Sequence, residues 1–308
     1  MSGVGIILNP HSRSNRRNPG RVRRLGFIVG DKGSCHATKD ILDVGRIAQQ
    51  FKERNVEILG ISGGDGTNHC TLTRVLQVYG DAKLPKIAFL RGGTMNNVAN
   101  CIGIKGTPEQ ILANLISKHD AGEEFKTVEL DMMTVNGEYG FLFGVGVVER
   151  FMEHYYRVKG SMVWAGVLLA RCILAQIFRT PFIDEMFERF DCKIEVDGEV
   201  WPYKNYNIIH AGTVETYGLG FDPFYRARER EGHTHIIGSS VLPSDIGWSL
   251  PKIWMRKPTN CENELSSVAK RVVITFSEPQ PYFVDGDIKA PTTRIEISCD
   301  KRISCIVS

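Results

Sequence analysis

The stretch that decides the fold is Gly63-Gly64-Asp65-Gly66-Thr67, which follows the apolar run Val56–Ile61 and precedes apolar residues at helical spacing. Three glycines let the backbone approach a ligand closely and adopt conformations that other residues avoid. The helix predicted to begin near Asn68 offers free N–H groups and the positive end of its dipole, which suits a phosphate group. A tight turn capped by Asp65 is the alternative. Five specified residues in this context favour a phosphate-binding loop, although not a Walker A loop, because no Gly-Lys-Ser/Thr follows.

The first third of the chain alternates predicted strands and helices. Four short apolar runs predict buried strands: Val4–Leu8, Leu25–Val29, Val56–Ile61 and Ile87–Leu90. Between these runs, apolar residues recur at helical spacing. Strands alternating with helices predict parallel βαβ units, so we expect an α/β nucleotide-binding domain with a parallel sheet over residues 1–127.

From Val128 onward the pattern changes to mostly β. Asp197-Gly198 separates two short alternating runs, as expected of a hairpin turn. The strand candidates are Lys193–Val196, Glu199–Trp201, Tyr206–His210, Thr234–Ile237, Arg271–Phe276, Arg294–Ser298 and Ser304–Val307. We therefore expect a mainly β domain over residues 128–308, with its last strands free to return toward the first domain.

Composition excludes several classes of protein. The 308 residues are 42% hydrophobic and 24% charged, which is typical of globular proteins and excludes a disordered chain, a collagen-like repeat and a polytopic membrane protein. A net charge of +3 gives no reason to expect nucleic-acid binding. Eight cysteines without a C-x-x-C pair are typical of a reducing compartment, and no signal peptide opens the chain. These features predict a cytoplasmic protein.

The longest apolar stretch runs from Ser161 to Phe178 and is interrupted by Arg171. A charge at this position costs about 3 kcal/mol at a bilayer centre, which argues against a membrane span. On a helix, Arg171, Gln176 and Arg179 fall within an arc of roughly 140°. The stretch therefore predicts an amphipathic helix that covers a core, and contact with a membrane or lipid stays open.

A second glycine loop, Gly92-Gly93-Thr94-Met95-Asn96-Asn97, follows another apolar strand. By itself it could be a simple turn. Two such loops at the ends of adjacent parallel strands face one crevice, where open α/β sheets bind ligands. Asn9-Pro10-His11-Ser12 follows the first strand and is expected to close the same crevice.

Six arginines follow this segment, at positions 13, 16, 17, 21, 23 and 24. They suit nucleotide phosphates or anionic lipid head groups, and a solvated basic loop is the alternative. Thr38 is expected either to cap the next helix or to contact a phosphate. Near the C-terminus, Phe283–Asp287 carries two carboxylates around a glycine, which by itself predicts a hairpin turn.

Together these motifs resemble the diacylglycerol kinase catalytic-domain family, which includes bacterial lipid kinases and sphingosine kinases and shares a fold with NAD kinases. The resemblance covers nearly the whole chain. It rests, in order, on NPHS at Asn9–Ser12, GGDGT at Gly63–Thr67, GGTMNN at Gly92–Asn97, VELD ending at Asp131, GLGFDP at Gly218–Pro223 and VDGD at Val284–Asp287.

The resemblance implies phosphorylation of a lipid hydroxyl, with ATP and Mg²⁺ as cofactors. It implies that Asp287 accepts the hydroxyl proton, and that Asp65 and Asp131 hold Mg²⁺ through water molecules. Asp65 is then the second catalytic residue, and Glu231 stands where family members have the aspartate of a structural Mg²⁺ site. The implied nucleotide-binding residues are Asn9, Pro10, His11, Ser12, Arg13, Thr38, Gly63, Gly64, Asp65, Gly66, Thr67, Asn68, Gly93, Thr94 and Asn96.

Three positions depart from the family pattern. The family usually has Glu at the position of Asp287, Asp at that of Asn97, and Asp-Gly where this chain has Glu231-Gly232. The alternatives are therefore an NAD kinase, which shares the GGDGT loop, and a catalytically weak nucleotide-binding regulatory protein. Asp197-Gly198-Glu199 spells the family's DGE more closely than Asp285–Asp287 does, but its position early in the β domain favours a plain hairpin.

The same resemblance implies a lipid substrate and transient, peripheral contact with the inner face of a membrane. Exposed strand edges in the β domain leave a homodimer open. Diacylglycerol and sphingoid bases both present a hydroxyl beside an apolar tail, so the sequence does not distinguish between them.

Overall fold

The computed structural model describes residues 3–157, 162–218 and 221–307. The chain forms two compact units, one of residues Met1–Leu130 with Arg302–Ser308, the other of Asp131–Lys301. It therefore passes from the first unit to the second once and returns at its C-terminal end. The first passage is three residues beyond the predicted domain boundary at residue 127.

The first unit is built on a parallel sheet. Its strands are β1 (Val4–Leu8), β2 (Gly33–Ala37), β3 (Ile58–Ser62) and β4 (Lys86–Phe89). Their order is β2-β1-β3-β4, and every pairing is parallel. β1 and β3 are buried along their whole length, which is why they read as continuous apolar runs.

Helices connect these strands. They are α1 (Arg13–Arg16), α2 (Arg21–Val29), α3 (Ile41–Glu53), α4 (Asp65–Tyr79), α5 (Asn97–Cys101) and α6 (Pro108–Asp120), and a 3-10 turn covers Gly30–Lys32. Helix α3 shows why they form: Val44, Ile47, Ala48 and Phe51 recur at helical spacing and are all buried. The prediction of alternating strands and helices is confirmed.

The predicted strand Leu25–Val29 is wrong, because these residues form the second half of α2. Leu25 and Val29, four residues apart, are buried, while Phe27 between them is 87% exposed. That is one face of a helix. The strand follows instead at Gly33–Ala37, where half-exposed residues line the edge of the sheet and no apolar run marks them.

The second unit is mainly β, as expected. Its strands are β5 (Thr127–Val135), β6 (Glu138–Gly140), β7 (Leu142–Gly146), β8 (Phe190–Val196), β9 (Glu199–Val200), β10 (Asn205–Tyr206), β11 (Ile208–Gly212), β12 (Thr234–Ser239), β13 (Glu264–Ala269), β14 (Arg271–Val284) and β15 (Asp287–Ile306). One path of antiparallel neighbours is β13-β12-β11-β7-β14-β15, and β8 also pairs with β14. Residues such as Ile194, Tyr206, Ile236 and Ile274 form its core.

The two strands predicted at Arg294–Ser298 and Ser304–Val307 are parts of one strand, β15. Its first portion pairs antiparallel with β14. Its last residues belong to the first unit, where Cys305 pairs in parallel with Ile87 of β4. The polar residues between the two apolar runs mark the passage from one unit to the other, not a turn.

Among the described residues of the second unit, four helices accompany the strands: α7 (Val147–Arg157), α8 (Met162–Ile177), α9 (Pro181–Met186) and α10 (Pro243–Trp254). Only α8 was expected from the sequence. Within the described residues, no helix has the length and apolar character needed to cross a bilayer.

The expectation that the apolar face of α8 covers a core is wrong in large part. Its buried residues are the narrow stripe Ala165, Leu168 and Ala175, whereas Val163, Leu174 and Ile177 are exposed. Arg171 is also exposed, with its guanidinium 4.0 Å from the ring centre of Phe182. The helix is apolar on most of its circumference, so one packing face buries only part of it.

Candidate functional site

Three loops meet at the carboxyl edge of the parallel sheet in the first unit. The segment after β1 is held by Asn9, whose backbone N–H donates to Ser62 O at 3.0 Å and whose Nδ2 donates to Thr67 Oγ1 at 2.9 Å. Ser12 Oγ donates to Gly92 O at 3.0 Å, which ties the same segment to the loop after β4. The predicted convergence of Asn9–Ser12 with both glycine loops is therefore observed.

The glycines are needed because these loops touch backbone to backbone. A Cβ on Gly93 would lie 2.3 Å from Gly64 Cα, and one on Gly92 would lie 2.7 Å from Gly63 N. A Cβ on Gly63 would lie 2.3 Å from the side chain of Thr67. A larger residue at Gly92 or Gly93 would have to displace the neighbouring loop, and one at Gly63 would have to displace the Thr67 side chain.

The amino end of α4 directly follows the first of these glycine loops. The helix begins at Asp65, three residues before the predicted start, and its N-cap is Gly64, which has no side chain to pair with the first N–H groups. Asp65 is thus the first helical residue and not the cap that the alternative interpretation required. Unpaired N–H groups and the helix dipole together make such a helix end suitable for binding phosphate.

Asp65 is half-buried, and the pKa of its carboxyl group is shifted. Burial raises its pKa to about 6, even though backbone N–H groups of Val98, Asn97 and Asn96 stabilise the carboxylate and oppose the shift. The carboxylate is therefore mostly ionised at neutral pH, and ionisation is costly unless a cation offsets it.

Three oxygen atoms beside this helix end fit a hard cation. Among the described residues, Oδ1 of Asp65, Asn68 and Asn97 are buried and have no hydrogen-bond partner. Mg²⁺ prefers oxygen ligands, one or two of them carboxylates, together with water. The donor set thus suits Mg²⁺, and Asn97 still offers an oxygen where the family usually has a carboxylate.

Asn96 shapes the second glycine loop. It adopts a left-handed backbone conformation with φ of 51° and accepts a hydrogen bond from Gly93 N at 3.0 Å. Asparagine tolerates this conformation better than most residues. Thr94, between these two residues, is half-buried.

Thr38 is not a helix cap. Asp40 caps α3 by accepting from the backbone N–H groups of Leu42 and Asp43. Thr38 lies directly after β2, and its backbone N–H and hydroxyl both donate to Leu8 O. It therefore belongs to the carboxyl edge of the sheet, where a phosphate contact stays a prediction.

The arginines after the first loop divide into two groups. Arg21 and Arg24 both pair with Glu109, at 3.1 Å and 2.9 Å, so they anchor α2 to α6. Arg13 is half-buried at the start of α1, while the arginines at positions 16, 17 and 23 are exposed. His11 is also exposed, with its backbone N–H donating to Asn9 Oδ1 at 2.9 Å.

Asn15 was missed by the sequence analysis. It is 3% exposed, and its Nδ2 donates to Asn9 O at 2.8 Å and to Ser62 O at 3.0 Å. Its Oδ1 accepts from Arg21 Nη1 at 3.0 Å. It thus joins the ends of β1 and β3, and only its place six residues after Asn9 in a basic stretch could have drawn attention to it.

In the second unit, Asp131 is joined to the Glu231-Gly232 turn. Asp131 Oδ2 accepts from Gly232 N at 3.0 Å, and His233 Nδ1 lies 2.7 Å from Glu231 O. Two of the three predicted metal residues are therefore close in the fold, although 100 positions separate them in sequence. The GLGFDP motif is only partly described, because Leu219 and Gly220 lie outside the described residues.

The turn Asp285-Gly286 joins β14 to β15, where Val284 pairs with Asp287. Asp285 is 2% exposed, and its carboxylate accepts from Phe141 N and Leu142 N, both at 2.8 Å. The side chain of Asp287 is 38% exposed, with an oxygen 4.0 Å from Lys289 Nζ. The first aspartate thus holds the hairpin against its neighbouring strand, and the second is more accessible.

The competing DGE segment is also a hairpin, as predicted. Glu199 pairs with Val196, and Asp197 accepts from the backbone N–H groups of Lys270 and Arg271. The two Asp-Gly turns share their left-handed backbone, so turn geometry alone does not distinguish Glu199 from Asp287.

A cluster of rings lies next to the Asp285 hairpin. Tyr217 donates its hydroxyl to Phe143 O at 3.0 Å, and its ring lies 6.3 Å from that of Phe283 and 5.9 Å from that of His210. Burial, and then the nearby His235, lower the pKa of His210 to about 3. The imidazole is therefore neutral at neutral pH, and it offers a polar atom inside an otherwise apolar cluster.

The chain thus combines an α/β unit built on a parallel sheet with a mainly β unit. Residues 3–126 match the family model of the diacylglycerol kinase catalytic domain, which confirms the resemblance read from the motifs. The matched segment covers less than half of the chain and lies within the first unit. No curated protein matches the chain.

Solved structures share the whole fold. A structure of a diacylglycerol kinase from Bacillus anthracis str. Sterne is 18% identical with a TM-score of 0.65, covering 100% of this chain and 97% of that one. Two structures of proteins provisionally named diacylglycerol kinases from the same organism are 20% identical, with TM-scores of 0.72 and 0.67 and the same coverage. They confirm the predicted two-domain fold over the full length.

Proposed function

We propose that the protein is a lipid kinase that transfers the γ-phosphate of Mg-ATP to a hydroxyl of a lipid such as diacylglycerol or a sphingoid base. The observation that supports this most is the meeting of three loops at the open amino end of α4, next to three buried, unpartnered side-chain oxygens. A helix amino end attracts phosphate, and the oxygens suit the metal that accompanies it.

In this proposal, the backbone N–H groups of Gly64–Thr67 and the Asn9–Arg13 segment bind the ATP phosphates. Thr94 and Thr38 add hydroxyl donors at the same sheet edge. Mg²⁺, held through water by Asp65 and Asp131, would neutralise charge on the phosphates. Because phosphoryl transfer depends mainly on positioning and charge stabilisation, rigid loops tied by Asn9, Ser12 and Asn15 suit the reaction.

The proton acceptor in this proposal is Asp287. Its carboxylate is accessible and lies 4.0 Å from Lys289 Nζ. It would receive the proton of the lipid hydroxyl as the oxygen attacks the γ-phosphorus and the bond to the β–γ bridging oxygen breaks. Asp285, committed to two backbone N–H groups, is not available for this role.

We further propose that the enzyme works peripherally at the inner face of a membrane, where its lipid substrate resides. Exposed apolar side chains of the second unit support this location, Val163 being 75% exposed and Ile177 66%. The Glu231 turn beside Asp131 is proposed to hold a second, structural metal ion.

The proposal is tested by the transfer of labelled γ-phosphate from Mg-ATP to a mixed-micelle panel of hydroxyl lipids. Wild type is compared with Asp287→Asn and with Glu199→Gln, its counterpart in the other hairpin. Transfer is expected in wild type and Glu199→Gln and to fall at least about a hundredfold in Asp287→Asn, as expected for loss of a general base. Loss only in Glu199→Gln would refute Asp287 as the acceptor.

NAD serves as a further acceptor in the same assay. Transfer to NAD and to no lipid would favour an NAD kinase. ATP binding without transfer to any acceptor would favour a regulatory nucleotide-binding protein. Either result would overturn the lipid-kinase proposal.

A further inference from the structure

The second glycine loop begins at a residue with a strained backbone. Arg91, two residues after the end of β4, has a left-handed conformation with φ of 50°. This conformation is unfavourable for residues with a Cβ, whereas glycine adopts it readily. A glycine at position 91 would therefore remove the strain, so the advantage of arginine at this position lies in the contacts of its side chain.

The side chain of Arg91 connects the start of the loop to the helix that follows it. Its Nη1 donates to Asn100 Oδ1 at 2.7 Å and also to Ile104 O. Asn100 belongs to α5, and its own Nδ2 donates to Met95 O at 2.8 Å. We call these hydrogen bonds of Arg91 and Asn100 the Arg91 clamp. The clamp fixes the loop at its start and near its end.

The clamped segment contacts the first glycine loop. Gly93 packs so closely that a Cβ on it would lie 2.3 Å from Gly64 Cα. Backbone N–H groups of Asn97 and Val98, in the first turn of α5, stabilise the carboxylate of Asp65. Because α5 has only five residues, its internal hydrogen bonds alone hold it weakly. The contacts that the clamp makes at the end of α5 therefore help to keep these N–H groups in place.

We propose that Arg91 is a positioning residue, which keeps the second glycine loop and α5 in the conformation that binds nucleotide. It acts through Asn100, Met95 and Ile104 and contacts neither ATP nor the acceptor. A loop that is ordered in advance loses less conformational entropy when the ligand binds, so the clamp favours ATP binding. This inference deepens the proposed function, on which it rests for nucleotide as the ligand.

The first test is hydrogen exchange without nucleotide in wild type and Arg91→Gly. Glycine allows the left-handed backbone and removes the clamp, so the variant should fold. Faster exchange is expected for the amides of residues 93–104 and not for those of α3. Asn55→Gly is the matched control, because Asn55 is also left-handed, with φ of 52°, but is exposed and lies before β3, at the other edge of the sheet. This control should exchange like wild type.

The second test is the affinity for Mg-ATP, measured by calorimetry. Arg91→Gly is expected to weaken binding about tenfold, the order of magnitude for one further residue that must be ordered on binding. In the transfer assay the KM for ATP should rise by the same factor, while kcat and the KM for lipid stay near the wild-type values, as expected when only binding is lost. A simple loss of folded protein would lower kcat instead.

Asn100→Ala separates the clamp from the charge of Arg91. It removes the hydrogen bonds of Asn100 to Arg91 and Met95 but keeps the guanidinium, and alanine suits an exposed helical position. The affinity for Mg-ATP is expected to fall, though by less than in Arg91→Gly, because the hydrogen bond from Arg91 to Ile104 O stays.

Wild-type hydrogen exchange in the loop of Arg91→Gly would overturn the proposal, and so would wild-type ATP affinity of this variant. Weaker binding by Arg91→Gly together with wild-type affinity of Asn100→Ala would also overturn it, because Arg91 would then act by its charge on the nucleotide itself. If wild type bound no Mg-ATP, the proposed function would fail. Faster exchange in Arg91→Gly would in that case still support the clamp as the element that orders the loop.

Discussion

At the scale of single residues, aspartates differ in hydrogen bonding, solvent exposure and pKa because their surroundings differ. Asp285 is buried and accepts hydrogen bonds from two backbone N–H groups, whereas Asp287 two positions later is accessible and near Lys289. Asp65 is a third case, since burial raises its pKa while nearby N–H groups lower it. Chemistry at each position follows from hydrogen-bond donors and solvent access rather than from residue type.

Asp285→Ala should destabilise the protein by about 2–4 kcal/mol, since two buried N–H groups lose their acceptor and each unpaired group costs roughly 1–3 kcal/mol. Denaturant unfolding measures the change. The matched control is Asp197→Ala, which removes the same kind of turn aspartate from an exposed hairpin, where water can replace the carboxylate. Equal losses in both variants would contradict the structural role assigned to Asp285.

Asp65→Asn should abolish phosphoryl transfer without lowering stability at neutral pH. The folded-state pKa of about 6 exceeds the ordinary value of 3.8, so the native state holds the proton more tightly than the unfolded chain does. The contribution of Asp65 to stability is therefore present at low pH and lost as pH rises from about 4 to about 6.

Melting temperatures of wild type and Asp65→Asn at pH 4, 5 and 7 test this sign. The variant should gain relative to wild type as the pH rises and then level off above about 6. If the melting temperature of the variant instead rose relative to wild type as the pH fell, the fold would stabilise the ionised carboxylate rather than disfavour it.

At the scale of elements, the site depends on how closely three strand-to-helix connections approach one another. Parallel strands β1, β3 and β4 end at one edge, and Asn9, Ser12 and Asn15 tie their loops together. The loops meet at Gly64 and Gly93, where a Cβ on Gly93 would lie 2.3 Å from Gly64 Cα and one on Gly64 would lie 3.2 Å from Gly93 Cα. The proposed phosphate-binding site thus requires all three connections at once.

Gly93→Ala should destabilise the protein by about 1–3 kcal/mol, the usual cost of overpacking, and should weaken ATP binding. Its Cβ would lie 2.3 Å from Gly64 Cα. Gly45→Ala is the matched control, because a Cβ there meets nothing within 4 Å and the residue lies inside α3. The control should stabilise by about 0.5–1 kcal/mol. Thermal unfolding with and without Mg-ATP measures both, and unchanged nucleotide binding in Gly93→Ala would contradict the close-packed loop.

At the scale of the whole molecule, the chain leaves the first unit and comes back to complete it. The return is made by β15, whose residues Ile303, Cys305 and Ile306 are buried. Val307 N donates to Lys126 O at 2.9 Å, so this segment is bonded to the first unit on more than one side. The first unit is therefore not a contiguous piece of sequence.

A chain that ends at Lys301 should lose several kcal/mol of stability in the first unit, since three buried side chains worth roughly 1.5–3 kcal/mol each are removed. ATP binding should fall with it. Arg302→Ser, which changes an exposed residue of the same strand, is the control. Calorimetry and nucleotide binding are the measurements, and wild-type behaviour of the shortened chain would show that β15 is dispensable to the first unit.

The sequence by itself determined the class of fold and the loops of the site. Continuous apolar runs, glycine-rich ends and Asp-Gly turns are local signals, so β1, β3, α4 and both hairpins could be predicted. The edge strand β2 carried no such signal. The second half of α2 was predicted as a strand because five apolar or small residues follow one another in Leu25–Val29.

Only the tertiary structure decided which residues meet across long stretches of chain. Asn15 became a link between strand ends, Asp285 a buried acceptor and Asp131 a partner of Gly232 through contacts that no short segment encodes. The same holds for α8, whose apolar residues read alike in sequence while only one stripe finds neighbours. Whether a side chain is buried depends on the packing of the whole molecule, whereas a local sequence pattern indicates only how strongly each residue type prefers to be buried.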